Sequence, residues 1–140
     1  TDDLVWVANS DRNPLKVKIM PLIVAAEGCI YRQRAIQRLD RSELPWQIVY
    51  TNPDLTGIQY AIQEDLGVTV LAKSTVPSNL KVVPDSSRFP DLGRVGINLI
   101  CDRSKKEDLA IKLLIEFLRT SLAEMLFVGV PDAKPVGLLM

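Results

Sequence analysis

The residues best suited to chemistry sit at two breaks in apolar runs. Glu27-Gly28-Cys29 follows Pro21 to Ala26, and Thr51-Asn52 closes the strand-like run Trp46 to Thr51 just before Pro53. A glycine lets a ligand come close to the backbone, and free amides at a helix start attract carboxylate or hydroxyl groups. The plain alternative for Gly28-Cys29 is an ordinary turn. A helix start also lowers a thiol pKa, which raises the prospect of Cys29 as a nucleophile. The chain has no histidine, however, so the usual general base near neutral pH and the commonest transition-metal ligand are both missing. Ser-His-Asp and Cys-His chemistry are excluded, and a small buried thiol is the simpler role for Cys29. Thr51 and Asn52 offer a hydroxyl and an amide; Asn52 is expected to cap the next helix, leaving Thr51 as the better ligand contact. Thr69 interrupts the apolar run Val68 to Leu71, either as a contact or as a β-branched residue satisfied by its neighbours. There is no GxGxxG, no Walker loop and no metal-ligand cluster. The inventory suits binding, not turnover.

The elements that must position these residues alternate in type. Strands are predicted at Leu4 to Ala8, Pro21 to Ala26, Trp46 to Thr51, Val68 to Leu71, Leu80 to Val83 and Arg94 to Cys101. Amphipathic helices are predicted at Cys29 to Glu43, from Pro53 to about Leu66 with Gly67 as the stop, and from Ser104 through a stripe that includes Leu109, Leu113, Leu114 and Phe117. The leucine-rich stripe is expected to cover a sheet. Residues 84–93, rich in Pro, Ser and Asp, read as a surface excursion, and the end from Val128 as an irregular or edge segment. Arg34, Arg38 and Arg41 share one helix face with Arg32 nearby, and a solvated face is their expected role. Strands alternating with helices imply parallel pairing and the α/β class. In such sheets the strand ends that lead into helices form the ligand-facing rim. The loops after Ala26 and Thr51 should therefore open side by side onto a shared recess.

Composition sets outer bounds. At 140 residues and 47% hydrophobic content the chain supports one core. Seventeen Lys and Arg balance 17 Asp and Glu, so no long-range field draws this chain onto DNA or anionic lipid. Cys29 and Cys101 lack any paired spacing, which suits a reducing cytoplasm. No apolar run reaches the roughly 18 to 20 residues needed to cross a bilayer, and Thr1-Asp2-Asp3 does not begin a signal peptide. The expectation is a soluble, unexported, cytoplasmic protein with no membrane partner.

Four stretches carry a family likeness as a set: Pro-Leu-Ile-Val-Ala-Ala-Glu-Gly-Cys-Ile-Tyr-Arg at 21–32, Pro-Trp-Gln-Ile-Val-Tyr-Thr-Asn-Pro at 45–53, Leu-Thr-Gly-Ile-Gln-Tyr-Ala-Ile at 55–62, and Leu-Gly-Val-Thr-Val-Leu-Ala at 66–72. In order and spacing they resemble the second regulatory lobe of LysR-type transcriptional regulators, departing mildly at Leu71-Ala72, where the family strand typically ends in Leu-Pro. The resemblance implies a Rossmann-like open sheet of the periplasmic-binding-protein type 2 kind, with an incomplete first lobe. Residues 1–9 would be a crossover strand, 10–93 the second regulatory lobe, and 94–140 a return crossover strand, a helix to the first lobe and a C-terminal tail. It further implies a fragment that senses a small-molecule effector, with an aromatic or aliphatic carboxylate as the suggested class, and transmits binding by lobe and dimer rearrangement. Because the family's cleft borders the strand holding Thr69, the ligand contacts would be Glu27, Gly28, Cys29, Thr51, Asn52 and Thr69. No cofactor, metal or catalytic residue is implied. DNA would be met only through an absent N-terminal winged helix-turn-helix, and the oligomer would be a homodimer or homotetramer built along the helix of residues 53–65. The alternatives are a freestanding solute-binding domain, an α/β enzyme using Cys29 or acidic residues, and an assembly domain.

Overall fold

Leu4, Trp6 and Ala8 alternate with Val5 and Val7 along strand β1 (Asp2–Asn9), and the two sets enter different cores. The same period-two sorting splits β2 (Met20–Val24): Met20, Leu22 and Val24 join the first set while Ile23 joins the second. It splits β4 (Thr69–Ala72) likewise, with Val70 and Ala72 on one side and Leu71 on the other. Each core has its own helix. Helix α1 (Ile30–Arg41) adds Ala35 and Leu39 to the first, and α2 (Leu55–Gln63) adds Ile58, Ala61 and Ile62 to the second. The result is a sheet covered on both faces, in which each fully buried Leu, Ile or Val contributes about 1.5–3 kcal/mol.

This computed structural model describes residues 1–11, 17–42, 44–84, 86 and 88–127. In the sequence Asn13-Pro14 reads as part of the turn that closes the first strand; it, the helix end expected at Glu43 and the tail from Val128 lie outside the described residues. Two compact units emerge, one of Asp2–Val95 and one holding Thr1 and, among the described residues, 96–127.

In the larger unit β3 (Trp46–Thr51) pairs in parallel with β2, and a parallel bridge from Leu22 to Val68 joins β2 to β4. Strand β1 then pairs antiparallel with β4, with β5 (Leu80–Val83) and, at its start, with β6 (Arg94–Val95). The spatial order is β3–β2–β4–β1–β5. The expectation of parallel pairing throughout is corrected to a mixed sheet. A crossover helix fixes the direction only of the strands that it joins, here β2, β3 and β4; β1 precedes the first helix and runs opposite to them.

Two further expectations change. The surface excursion expected at residues 84–93 holds only in part: Pro84, Ser86 and Asp91 are exposed, but Phe89 is 0% and Leu92 1% exposed. Phe89 packs edge-on against Trp6 with ring centroids 5.6 Å apart, and Trp6 Nε1 donates to the Pro90 carbonyl at 2.9 Å. The arginine face is only partly solvated, since Arg34 donates to the Leu92 carbonyl at 2.7 Å and so ties α1 to this segment. Pro and Ser mark the loss of regular structure, which is a different matter from exposure. The strand expected at 94–101 reduces to Arg94–Val95.

Helix α2 ends earlier than Gly67 predicts. Asp65 takes the left-handed conformation (φ 57°), and the amides of Asp65 and Leu66 bond back to the carbonyls of Ile62 and Ala61. In the smaller unit, the carboxylates of Asp102 and Asp108 cap two successive starts, a short 3-10 turn at Arg103–Lys105 and helix α3 (Leu109–Phe127). The stripe expected to cover a sheet is exposed at Leu109, Leu113, Leu114 and Phe117. Among the described residues no helix is long and apolar enough to cross a membrane.

Candidate functional site

The carboxyl ends of β2 and β3 lie side by side: Val24 is opposite Thr51, and the Asn52 amide continues the ladder to the Val24 carbonyl at 3.1 Å. Each strand then turns into a helix. After β2 the chain reverses through Gly28, whose φ of +89° is a conformation in which a Cβ would be strained. Cys29 occupies the position before α1 and Asp54 the position before α2, and neither forms a side-chain cap bond. Neither helix has an acidic residue in its first turn. The first amides of both helices are therefore left without a side-chain cap, although the Asp54 carboxylate stands beside the start of α2 and Glu27 precedes that of α1.

Between these helix starts lies a recess of about 190 Å³. Its floor is Ile23, Val24 and Ala25 from the end of β2 with Thr69, Val70 and Leu71 from β4. One wall is Cys29, Tyr31, Arg32 and Ala35 from α1, and the other is Pro53, Leu55 and Ile58 from the start of α2. Most of this lining is hydrocarbon. The two helix starts thus open onto one recess, as their positions in the sequence predict.

The six candidate residues divide by position. Cys29 and Thr69 line the recess. Thr69 is 4% exposed, and its hydroxyl donates to the Ile23 carbonyl at 2.7 Å, so it is bound into the sheet. Gly28 shapes the turn beside the recess. Glu27 is exposed and pairs with Arg32 at 3.8 Å. Thr51 is exposed at the end of β3 and lies outside the lining. Asn52 is held nearby by two bonds: its Oδ1 accepts from the Asp54 amide and its Nδ2 donates to the Tyr50 hydroxyl, each at 2.8 Å. That amide fits because position 57 is glycine; a Cβ there would come within 2.2 Å of Asn52 Nδ2.

Arg32 and Tyr31 were not among those candidates. The Arg32 side chain is 18% exposed and donates through Nη1 to the Ala25 carbonyl at 3.1 Å. Its sequence signal is the i+3 spacing from Cys29, which sets the two on one helix face. Tyr31 has a phenol pushed above its ordinary pKa of 10.0, first by burial and then by the nearby Asp2 carboxylate and Cys29. Asp2 is itself only 8% exposed and accepts from the Ser74 amide and hydroxyl, at 3.2 and 2.5 Å. Both cysteines are free thiols. Among the described residues no cluster of three or more Cys, Asp or Glu is arranged to hold a metal ion.

Comparison with known proteins agrees with this architecture. The HTH-type transcriptional regulator DgdR of Burkholderia cepacia is 25% identical over 108 residues, 77% of this chain and 37% of that protein. The HTH-type transcriptional regulator PecT of Dickeya dadantii (strain 3937) is 25% identical over 92 residues, 66% of this chain and 29% of that protein. The chain thus spans about a third of the length of these relatives. Among solved structures, the regulatory domain of CcmR from Synechocystis PCC6803, in complex with 2-PG, superposes with a TM-score of 0.59 at 18% identity, covering 86% of this chain and 62% of that one. HinK, a LysR family transcriptional regulator from Pseudomonas aeruginosa, does so with a TM-score of 0.55 at 12% identity, over 86% and 45% of the two chains. These likenesses establish the α/β, periplasmic-binding-protein-like type 2 fold. The family model described as the LysR substrate binding domain matches residues 1–123, and the chain belongs to that family.

Proposed function

We propose that the recess between the starts of α1 and α2 is an effector site, and that this chain is the sensing part of a LysR-type transcriptional regulator. Cys29 and Thr69 would meet the effector from the lining, with Glu27, Gly28, Thr51 and Asn52 around it. The observation that carries this reading is the convergence of two helix starts, neither closed by a side-chain cap bond, on one small apolar recess. Such a site suits a compact molecule with an apolar body and a carboxylate or similar polar end. It also suits binding without turnover, since the thiol in the lining has no histidine to assist it.

The matched relatives DgdR and PecT are transcriptional regulators, which favours sensing over free solute transport. Occupancy would act by shifting a conformational equilibrium through its differential affinity for two states. DNA contact would belong to a separate winged helix-turn-helix, and the working compartment would be the cytoplasm. Self-association would use the outer side of β3 and α2, where Ile48, Val49 and Tyr60 are exposed.

The test is a panel of small carboxylic acids, screened by thermal shift against this chain and against Leu55→Trp. Leu55 lines the recess yet is 44% exposed, so an indole there obstructs the opening without disturbing the core. A ligand at about 100 times its Kd adds about 2.7 kcal/mol of stability. The expected result is a saturable upward shift in the wild type that disappears in Leu55→Trp. A response that survives the substitution unchanged places the site elsewhere.

A further inference from the structure

We propose that Arg32 selects for a negative charge in the recess, and that Glu27 is the internal counter-charge it gives up when a ligand arrives. The inference rests on the recess being the effector site and adds what decides its specificity. Among the described residues Arg32 is the one charged residue in the lining. Its side chain is largely withdrawn from water, at 18% exposure, whereas that of its acidic partner Glu27 is 91% exposed. Their separation of 3.8 Å is well beyond the roughly 2.7–2.9 Å of a charge-assisted hydrogen bond. An ion pair so exposed on one side is screened by solvent and holds weakly.

The guanidinium does not move freely, because its bond to the Ala25 carbonyl at 3.1 Å fixes it against the end of β2. Beyond that bond and the distant Glu27, its planar fork retains N–H donors suited to two oxygens of one anionic group. A half-buried cation with a poorly matched partner gains when a better-matched anion replaces that partner. Most of the rest of the lining, including Ile58, Val70 and Leu71, offers only hydrocarbon. The ligand class is therefore an anion with a compact apolar body, small enough for about 190 Å³. Glu27, a candidate ligand contact in the sequence, becomes a competitor of the ligand.

The test compares benzoate and hexanoate with their uncharged amides on this chain and on Arg32→Gln, Arg32→Lys and Glu27→Gln, following the Cys29 and Thr69 amide resonances by NMR. The acids should bind the wild type about tenfold more tightly than the amides, the usual scale for one charge-assisted bond. Arg32→Gln should remove most of the difference between acid and amide, and Arg32→Lys should keep more of it. Glu27→Gln should strengthen the acids by about two- to threefold without changing the amides, as expected on losing a surface charge. Equal binding of acid and amide to the wild type overturns the role of Arg32 while leaving the recess as a binding site. An undiminished acid preference in Arg32→Gln, or an unchanged acid affinity in Glu27→Gln, overturns it in the same way. If no probe moves either resonance in any variant, this assignment and the proposed function fall together.

Discussion

The Thr69 hydroxyl donates to the Ile23 carbonyl at 2.7 Å, joining β4 to β2 beneath the recess. A residue that stands out in the sequence as a ligand contact is thus first a structural one. Thr69→Val deletes the donor and leaves a buried carbonyl short of a partner, a loss of about 1–3 kcal/mol. Thr69→Ser keeps the donor and should lose much less. Urea unfolding of the two variants measures the difference, and equal midpoints would free the hydroxyl for a ligand.

Gly67 and Gly28 are glycines for different reasons. At Gly67 a Cβ would lie 2.4 Å from the Pro21 carbonyl oxygen, where α2 leads into β4 and no flexible side chain can yield. Gly67→Ala should therefore destabilise the protein by about 1–3 kcal/mol through a displaced backbone. At Gly28 nothing lies within 4 Å of the added Cβ, and only the φ of +89° opposes it. Gly28→Ala should lose about 1 kcal/mol, with Gly28→Asn closer to wild type because Asn tolerates the left-handed region. Denaturant midpoints of the three variants check the order, and a Gly28→Asn variant no better than Gly28→Ala would show that φ is not the constraint.

Stability should depend on Tyr31 at alkaline pH. Burial, then Asp2, then Cys29 raise its pKa in the folded chain, so above about pH 10 the unfolded chain sheds a proton that the folded chain still holds. The unfolded state then binds fewer protons, and stability falls as pH climbs from about 10 through the folded-state value. Below that window Tyr31 leaves stability independent of pH. Tyr31→Phe should flatten the alkaline limb in urea midpoints between about pH 9 and 11, and an equally steep limb in that variant would assign the effect to another group.

Local order was legible where it depends on nearest neighbours. The strand–turn–helix junctions at Gly28-Cys29 and Asn52-Pro53 follow from turn chemistry written into a few consecutive residues, although Asn52, expected to cap α2, instead accepts from the amide of Asp54 ahead of the first helical residue, Leu55. The direction of β1 was not legible, because no helix precedes it to fix its sense, and its pairing with β4 is a long-range choice. Nor was the burial of Phe89, whose partner Trp6 is far away in sequence. Glu27, Gly28 and Cys29 were singled out because turns are visible from composition. Arg32 was passed over because an arginine on an amphipathic helix usually faces water, and only the carbonyl of Ala25 reveals that this one does not.

Asp2 and Val95 stand opposite each other across one antiparallel rung, so the two ends of the larger unit emerge roughly 5 Å apart. A segment whose ends meet behaves as a cassette: it can be spliced into a tight turn of a host protein without prying that turn open. The same closeness means that a pull on either end is felt at once by the other, as with two cords knotted at a single point.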